Sequence, residues 1–155
     1  MRYRKFNVVI VDDETLIREL IRDEVRWEAL NCQVVLSASS ALEVIDYIDE
    51  YPVDLVIADI SMPVIDGLTL ASRIKEDNPK TKVIMLTGFD DFMYAKKGIE
   101  VGVDGYLLKP VDGEVIEKEL EKTLREIKKE KNKRAVIEEM MEKAEVDKSY
   151  IKEKF

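Results

Sequence analysis

Histidine is absent from this 155-residue chain. That excludes every mechanism that uses imidazole as a base, a metal ligand or a phosphate carrier. Any chemistry must run on carboxylates, hydroxyls, lysine and metal ions. The single cysteine, Cys32, cannot form an internal disulfide, which fits a reducing compartment. No N-terminal stretch has the apolar core of a signal peptide, and no segment is long enough to span a bilayer. The expectation is a cytoplasmic protein with no membrane association. No glycine-rich loop follows the first apolar run, which argues against dinucleotide binding, and no Gly/Ser-rich linker divides the chain. Positive charge is in deficit as well. The net charge of −8 makes non-specific nucleic-acid binding by the whole chain unexpected.

What is present is a series of short apolar runs, each ending in a polar residue. Val8-Val9-Ile10-Val11 ends in Asp12-Asp13, and Leu55-Val56-Ile57-Ala58 ends in Asp59. Val83-Ile84-Met85-Leu86 ends in Thr87-Gly88, and Tyr106-Leu107-Leu108 ends in Lys109-Pro110. Between them lie helical patterns. The apolar spacing predicts helices over 14–27, over 39–50 with Ser39-Ser40 as caps, from Asp66-Gly67 to Asn78-Pro79, from Asp90-Asp91 to about Ile99, and from an Asp112 cap onward. The strands are predicted at 6–11, 34–36, 54–58, 82–87 and 104–108. Their continuous rather than alternating apolar character points to a parallel sheet covered on both faces. Right-handed crossovers then give an α/β fold, doubly wound and three-layered.

In a parallel sheet all the strand ends lie on one side, where open α/β sheets place their ligand sites. Asp12, Asp13 and Asp59 should therefore gather at one edge. Three close carboxylates repel unless a cation neutralises them. Mg²⁺ suits such a site, because one or two carboxylates with a backbone carbonyl and waters satisfy it. A DD dipeptide alone says little. DD after the first strand, D after the third, T after the fourth and KP after the fifth form a specific joint pattern.

The segments Val8 to Glu14, Asp54 to Gly67 and Gly105 to Pro110 together resemble a bacterial two-component response-regulator receiver domain. The resemblance covers residues 5–127. Trp27-Glu28, the stretch from Gly88 to Lys97 and Val101 to Asp104 are similar to receivers that precede an arabinose-regulator-type helix-turn-helix output. The resemblance implies a (β/α)5 flavodoxin-like sandwich with strand order 2-1-3-4-5. It implies Asp59 as phosphoacceptor from a sensor histidine kinase. It implies Mg²⁺, with Mn²⁺ able to substitute, held by Asp12, Asp13, Asp59 and the Ser61 carbonyl. It implies Lys109 as the charge partner of the transferring oxygens, and Thr87 and Tyr106 as a coupled switch with a cis Lys109-Pro110 bond. The output surface is then the fourth helix, fifth strand and fifth helix, with Lys96, Lys97, Glu100, Asp104, Glu117 and Glu121 as candidate surface residues. A homodimer is expected through that face or through the C-terminal helix. DNA enters only through an output domain that is not visible in this sequence.

The receiver is expected to end at residue 127, with 128–155 a charged helical extension or linker. The run Lys128 to Arg134 shifts the composition, and Val136, Ile137, Met140, Met141 and Ala144 follow it out of heptad phase. The helix either continues through that run or breaks and restarts. The tail Tyr150 to Phe155 is similar to the linker before an output domain, so two readings stand, one part of a longer regulator or a stand-alone one. A metal-dependent phosphohydrolase is the competing enzyme reading, but it needs a DxD arrangement on the first strand, where this chain has Asp12-Asp13-Glu14-Thr15. A flavin- or nucleotide-binding module is a third.

Overall fold

The computed structural model describes residues 4–88 and 92–154. Among the described residues five strands alternate with five helices: β1 (Phe6–Val11), α1 (Thr15–Glu24), β2 (Cys32–Ala38), α2 (Ala41–Glu50), β3 (Leu55–Asp59), α3 (Gly67–Asp77), β4 (Lys82–Thr87), α4 (Phe92–Val101), β5 (Gly105–Leu108) and α5 (Gly113–Lys154). The strands form one parallel sheet in the order β2-β1-β3-β4-β5. This is the doubly wound, flavodoxin-like arrangement that the sequence implied. Chain order reverses at β1, between β2 and β3, and the crevice beyond the strand ends there is the ligand position of such sheets.

Burial explains why the apolar runs became strands. All of β3 and β4 is buried, and Val8 to Val11 is fully so. Each such aliphatic side chain contributes roughly 1.5–3 kcal/mol when removed from water. Val9 and Val11 join Val56, Ala58, Val83 and Met85 in a core against Val44 and Ile45 of α2 and Leu70, Ala71 and Ile74 of α3. Val8 and Ile10 alternate to the opposite face, where Ile21 of α1 and Ile116 and Leu120 of α5 are also fully buried. The end of α1 meets the start of α5 there, since the Gly113 N–H donates to Glu24 Oε2 at 3.1 Å.

Several boundaries differ from the sequence expectation. β2 is longer than 34–36 because Cys32 and Gln33 pair with Phe6 and Asn7, and Ser37 and Ala38 with Ile10 and Val11. α1 begins and ends inside 14–27, since Val25 turns to extended backbone. Ser40 occupies the N-cap of α2 without a side-chain cap bond. Instead Ser39 donates its N–H and hydroxyl to Glu43, at 3.2 and 3.1 Å. Asp66 does cap α3, accepting from the Thr69 N–H at 2.8 Å, and Asp112 accepts from the Glu114 N–H at 2.8 Å at the head of α5. Asp90 and Asp91, expected to open α4, lie outside the described residues. α5 runs unbroken through the basic run, which settles that alternative. The chain divides into two compact units, Met1–Thr123 and Leu124–Phe155. In the second, Val136, Ile137, Met140 and Met141 are exposed. No helix among the described residues is long and apolar enough to cross a membrane.

Candidate phosphoacceptor site

β1 and β3 are neighbours, and each delivers its terminal acid to the same edge. Asp12 follows Val11, the partner of Ala58, and Asp59 follows Ala58. Carboxylate oxygens of Asp12, Asp13 and Asp59 lie within 4.8 Å of one another. Asp12 is fully buried and Asp59 nearly so, while Asp13 faces solvent. The backbone fixes two of these side chains. Asp12 Oδ1 accepts from the Glu14 N–H at 2.8 Å, and Asp59 Oδ1 accepts weakly from the Ser61 N–H at 3.4 Å.

Lys109 completes the cluster. Its own N–H donates to the Thr87 carbonyl at 2.8 Å, and the Lys109-Pro110 bond is cis. The ammonium sits 3.2 Å from Asp59 Oδ1 and 3.4 Å from Asp12 Oδ2. One cation thus bridges two buried acids. Burial pushes the Asp59 carboxyl up, and the Asp12 charge adds to it, to about 6 against an ordinary 3.8. Burial also raises Asp12. Burial opposes the charge on Lys109, but Asp12 and Asp59 together outweigh it and raise its pKa.

The donor set fits a hard divalent cation. Asp12 Oδ2 is buried and has no hydrogen-bond partner among the described residues, with the Lys109 ammonium 3.4 Å away. Such an acceptor costs about 1–3 kcal/mol or more unless something satisfies it. With three carboxylates against one lysine, the pocket remains two charges short of neutrality when all are ionised. Oxygen-only ligands and partial solvent access match Mg²⁺.

Thr87 is buried at the end of β4, one position beyond Leu86, the partner of Asp59. Tyr106 in β5 is half-buried and packs against the α2–α3 core; desolvation raises its phenol pKa. Two acids expected on the output surface belong elsewhere. Glu117 is buried in a bidentate pair with Arg26, accepting from Nε at 3.1 Å and Nη2 at 2.9 Å, and also from the Arg26 N–H at 2.8 Å. Asp104 accepts from Lys75 Nζ at 2.6 Å and from the Val83 N–H at 2.8 Å. Both changes have one cause, namely that a carboxylate near the sheet lowers its desolvation cost by pairing. Lys96, Lys97, Glu100 and Glu121 are exposed as expected. No sequence motif marks Arg18, whose guanidinium donates to the Asp12 carbonyl at 2.6 Å.

Known proteins resemble this chain in sequence and fold. The response regulator receiver domain family matches residues 8–121. YesN, an uncharacterised transcriptional regulatory protein of Bacillus subtilis, is 32% identical over 81% of this chain and 34% of its own length. The transcriptional regulatory protein HptR of Staphylococcus aureus is 39% identical over 69% of this chain and 42% of its own. The chain thus spans less than half the length of these curated relatives. Among solved structures, the receiver domain of AraT, a response regulator of Geobacillus stearothermophilus, superposes with a TM-score of 0.77 at 37% identity, covering 81% of this chain and 98% of that one. With its sheet order, its acid cluster and its bridging lysine, the chain belongs to the response regulator receiver family, the signalling-switch domain of two-component systems.

Proposed function

We propose that Asp59 accepts a phosphoryl group from a sensor histidine kinase, and that this event controls a DNA-binding transcriptional output outside this chain. The observation that carries the reading is the Lys109 ammonium shared between Asp59 and the unsatisfied, buried Asp12 Oδ2. A carboxylate oxygen of Asp59 attacks phosphorus, forming an acyl phosphate as the phosphorus–nitrogen bond of the donor phosphohistidine breaks. The departing imidazole nitrogen keeps the electron pair. Lys109 faces the oxygens on which charge gathers, which is the main task in phosphoryl transfer.

Asp12, Asp13, Asp59 and the Ser61 carbonyl are the residues that hold Mg²⁺ or Mn²⁺ in this reading, and a bound divalent ion supplies charge neutralisation at the transferring oxygens. Thr87 donates its hydroxyl to the bound phosphoryl group, and Tyr106 moves into the space behind it. The event shifts populations between two arrangements of α4, β5 and α5. Receiver function resides in residues 1–127, and 128–155 is the helical connection to the output, all in the cytoplasm. That the matched part of this chain covers only 34% and 42% of relatives that are transcriptional regulators supports an output beyond this chain. A homodimer through the α4-β5-α5 face or the C-terminal helix is part of the same reading.

Intact mass after incubation with acetyl phosphate and Mg²⁺ tests it. A labile phosphoryl adduct is expected on the parent and not on Asp59→Asn. An adduct that persists in Asp59→Asn places the chemistry on another residue and overturns the assignment.

A further inference from the structure

The acid pocket is supported from a strand that contributes nothing to it directly. β2 pairs with β1 in register from Phe6/Cys32 to Val8/Val34, then slips by one residue, so that Val9 pairs with Leu36 and Ile10 with Ser37. The extra residue is Val35. A bulge of this kind reverses which residues face which side of the sheet. Before it, Val34 lies level with Val8; after it, Ser37 lies level with Ile10, on that same face. Without the slip, Ser37 would lie level with Val11 and point into the α2–α3 core.

On its actual face Ser37 meets Arg18 of α1. Its Oγ accepts from Arg18 Nε at 3.2 Å, Arg18 Nη1 donates to the Asp12 carbonyl at 2.6 Å, and Nη2 reaches Thr15 Oγ1 at 3.4 Å. The Asp12 N–H in turn donates to the Ala38 carbonyl at 3.1 Å. The backbone of Asp12 is therefore gripped on both sides. Its N–H is tied to β2 directly, and its carbonyl, in the peptide that joins it to Asp13, is tied to β2 through the guanidinium. That peptide sets the direction of both acids of the first strand. A planar fork with fixed donor directions can hold two acceptors at once, which an ammonium on a flexible stem does not do.

We propose that Arg18, seated on Ser37 by the β2 bulge, is a positioning residue that presents Asp12 and Asp13 to the divalent cation. The inference rests on the metal reading above. Support of this kind behind metal ligands typically accounts for 10–100-fold in affinity. Because Arg18 carries a positive charge that by itself opposes cation binding, the geometric effect is isolated by keeping the charge and removing the fork.

The test is isothermal titration calorimetry of the full chain with MgCl2 and with MnCl2, on the parent, Arg18→Lys and Ser37→Ala, with melting temperatures recorded in EDTA. Arg18→Lys is expected to weaken cation binding about tenfold. Ser37→Ala leaves the charge and the carbonyl contact in place and is expected to weaken binding about threefold, below that range because only one of the guanidinium's contacts is lost. If Arg18→Lys does not fold, Ser37→Ala alone decides. Parent binding with both variants within twofold of it overturns the positioning role and leaves the metal reading intact. No binding by the parent to either ion overturns the metal reading and the positioning role with it.

Discussion

Asp59→Asn should make the protein more stable at pH 8 in the absence of divalent cations. The folded protein holds the Asp59 carboxyl at about 6 against an ordinary 3.8, because burial and the neighbouring Asp12 oppose its charge more than Lys109 favours it. The sign follows directly. A carboxyl whose pKa is raised by folding binds more protons in the native state between about pH 4 and 6, so stability falls as pH rises through that window and is level above it. At about 1.4 kcal/mol per tenfold change in ionisation constant, the full penalty approaches 3 kcal/mol at pH 8. Asparagine has the shape of the protonated acid and no charge, so it removes that penalty. We expect a gain of about 1–3 kcal/mol at pH 8 with EDTA, or roughly 3–10 °C in melting temperature for a domain of this size. The gain should disappear near pH 4, where the parent is itself protonated. Urea denaturation at both pH values, with and without MgCl2, measures it, and Mg²⁺ should narrow the gap by stabilising the parent alone. A variant no more stable than the parent at pH 8 in EDTA would show that Lys109 already neutralises the pocket, and would refute the reasoning.

Three further outcomes follow from other parts of the molecule. Val64 is almost fully exposed and holds φ at +70°, a region that is costly for a β-branched residue; Val64→Gly should raise stability by about 0.5–1 kcal/mol, read as a higher urea midpoint at unchanged slope. Gly67 lies against the backbone at the end of β3, where an added Cβ would collide with the Asp59 carbonyl and come within 2.8 Å of Ile60 Cα. Gly67→Ala should therefore cost about 2–3 kcal/mol and slow adduct formation on Asp59, which mass spectrometry over time would show. Arg26 holds Glu117 down to about 2, first through the side-chain hydrogen bonds and then through the Arg26 N–H; that pair's contribution is present above the ordinary glutamate pKa and is lost as pH falls toward 2. Glu117→Gln should melt lower than the parent at pH 7 and converge with it at pH 2–3 in a calorimetric series.

Strand positions were legible because a strand buried on both faces must be apolar throughout, and a run such as Val83 to Leu86 admits little else. The site was legible for the same reason, since a polar residue that ends such a run can only emerge at the sheet edge, as Asp59 and Thr87 do. Pairings between distant residues were not legible. Glu117 and Asp104 looked like surface charges, because nothing local marks Arg26, 91 residues from Glu117, or Lys75, 29 residues from Asp104, as a partner. The extra residue in β2 was equally silent, because Val34, Val35 and Leu36 are interchangeable to any apolar pattern. Without that slip the meeting of Ser37 and Arg18 has no sequence signature. The continuity of α5 has one sequence signal, namely that no glycine or proline follows Gly113, so no residue in the basic run supplies a break.

Charge accounting shows why the proposed chemistry should depend on a divalent ion. The pocket holds three carboxylates and one ammonium. Fully ionised, these sum to −2. Phosphorylation of Asp59 replaces one carboxylate charge by a phosphoryl charge of about −1.5 to −2, so without a cation the pocket would move toward −3 in a setting where two of its acids are already buried. With a divalent ion it starts at neutrality and ends near −1. The electrostatic work of adding a charge scales with the charge already present, so the same transfer meets little opposition in the second case and strong opposition in the first. Lys109 cannot substitute for the ion, because its single charge is already shared between Asp12 and Asp59. The acyl phosphate should accordingly form at least tenfold faster from acetyl phosphate in MgCl2 than in EDTA, whereas equal rates in the two solutions would mean that Lys109 alone carries the neutralisation and that the acid cluster serves some other end.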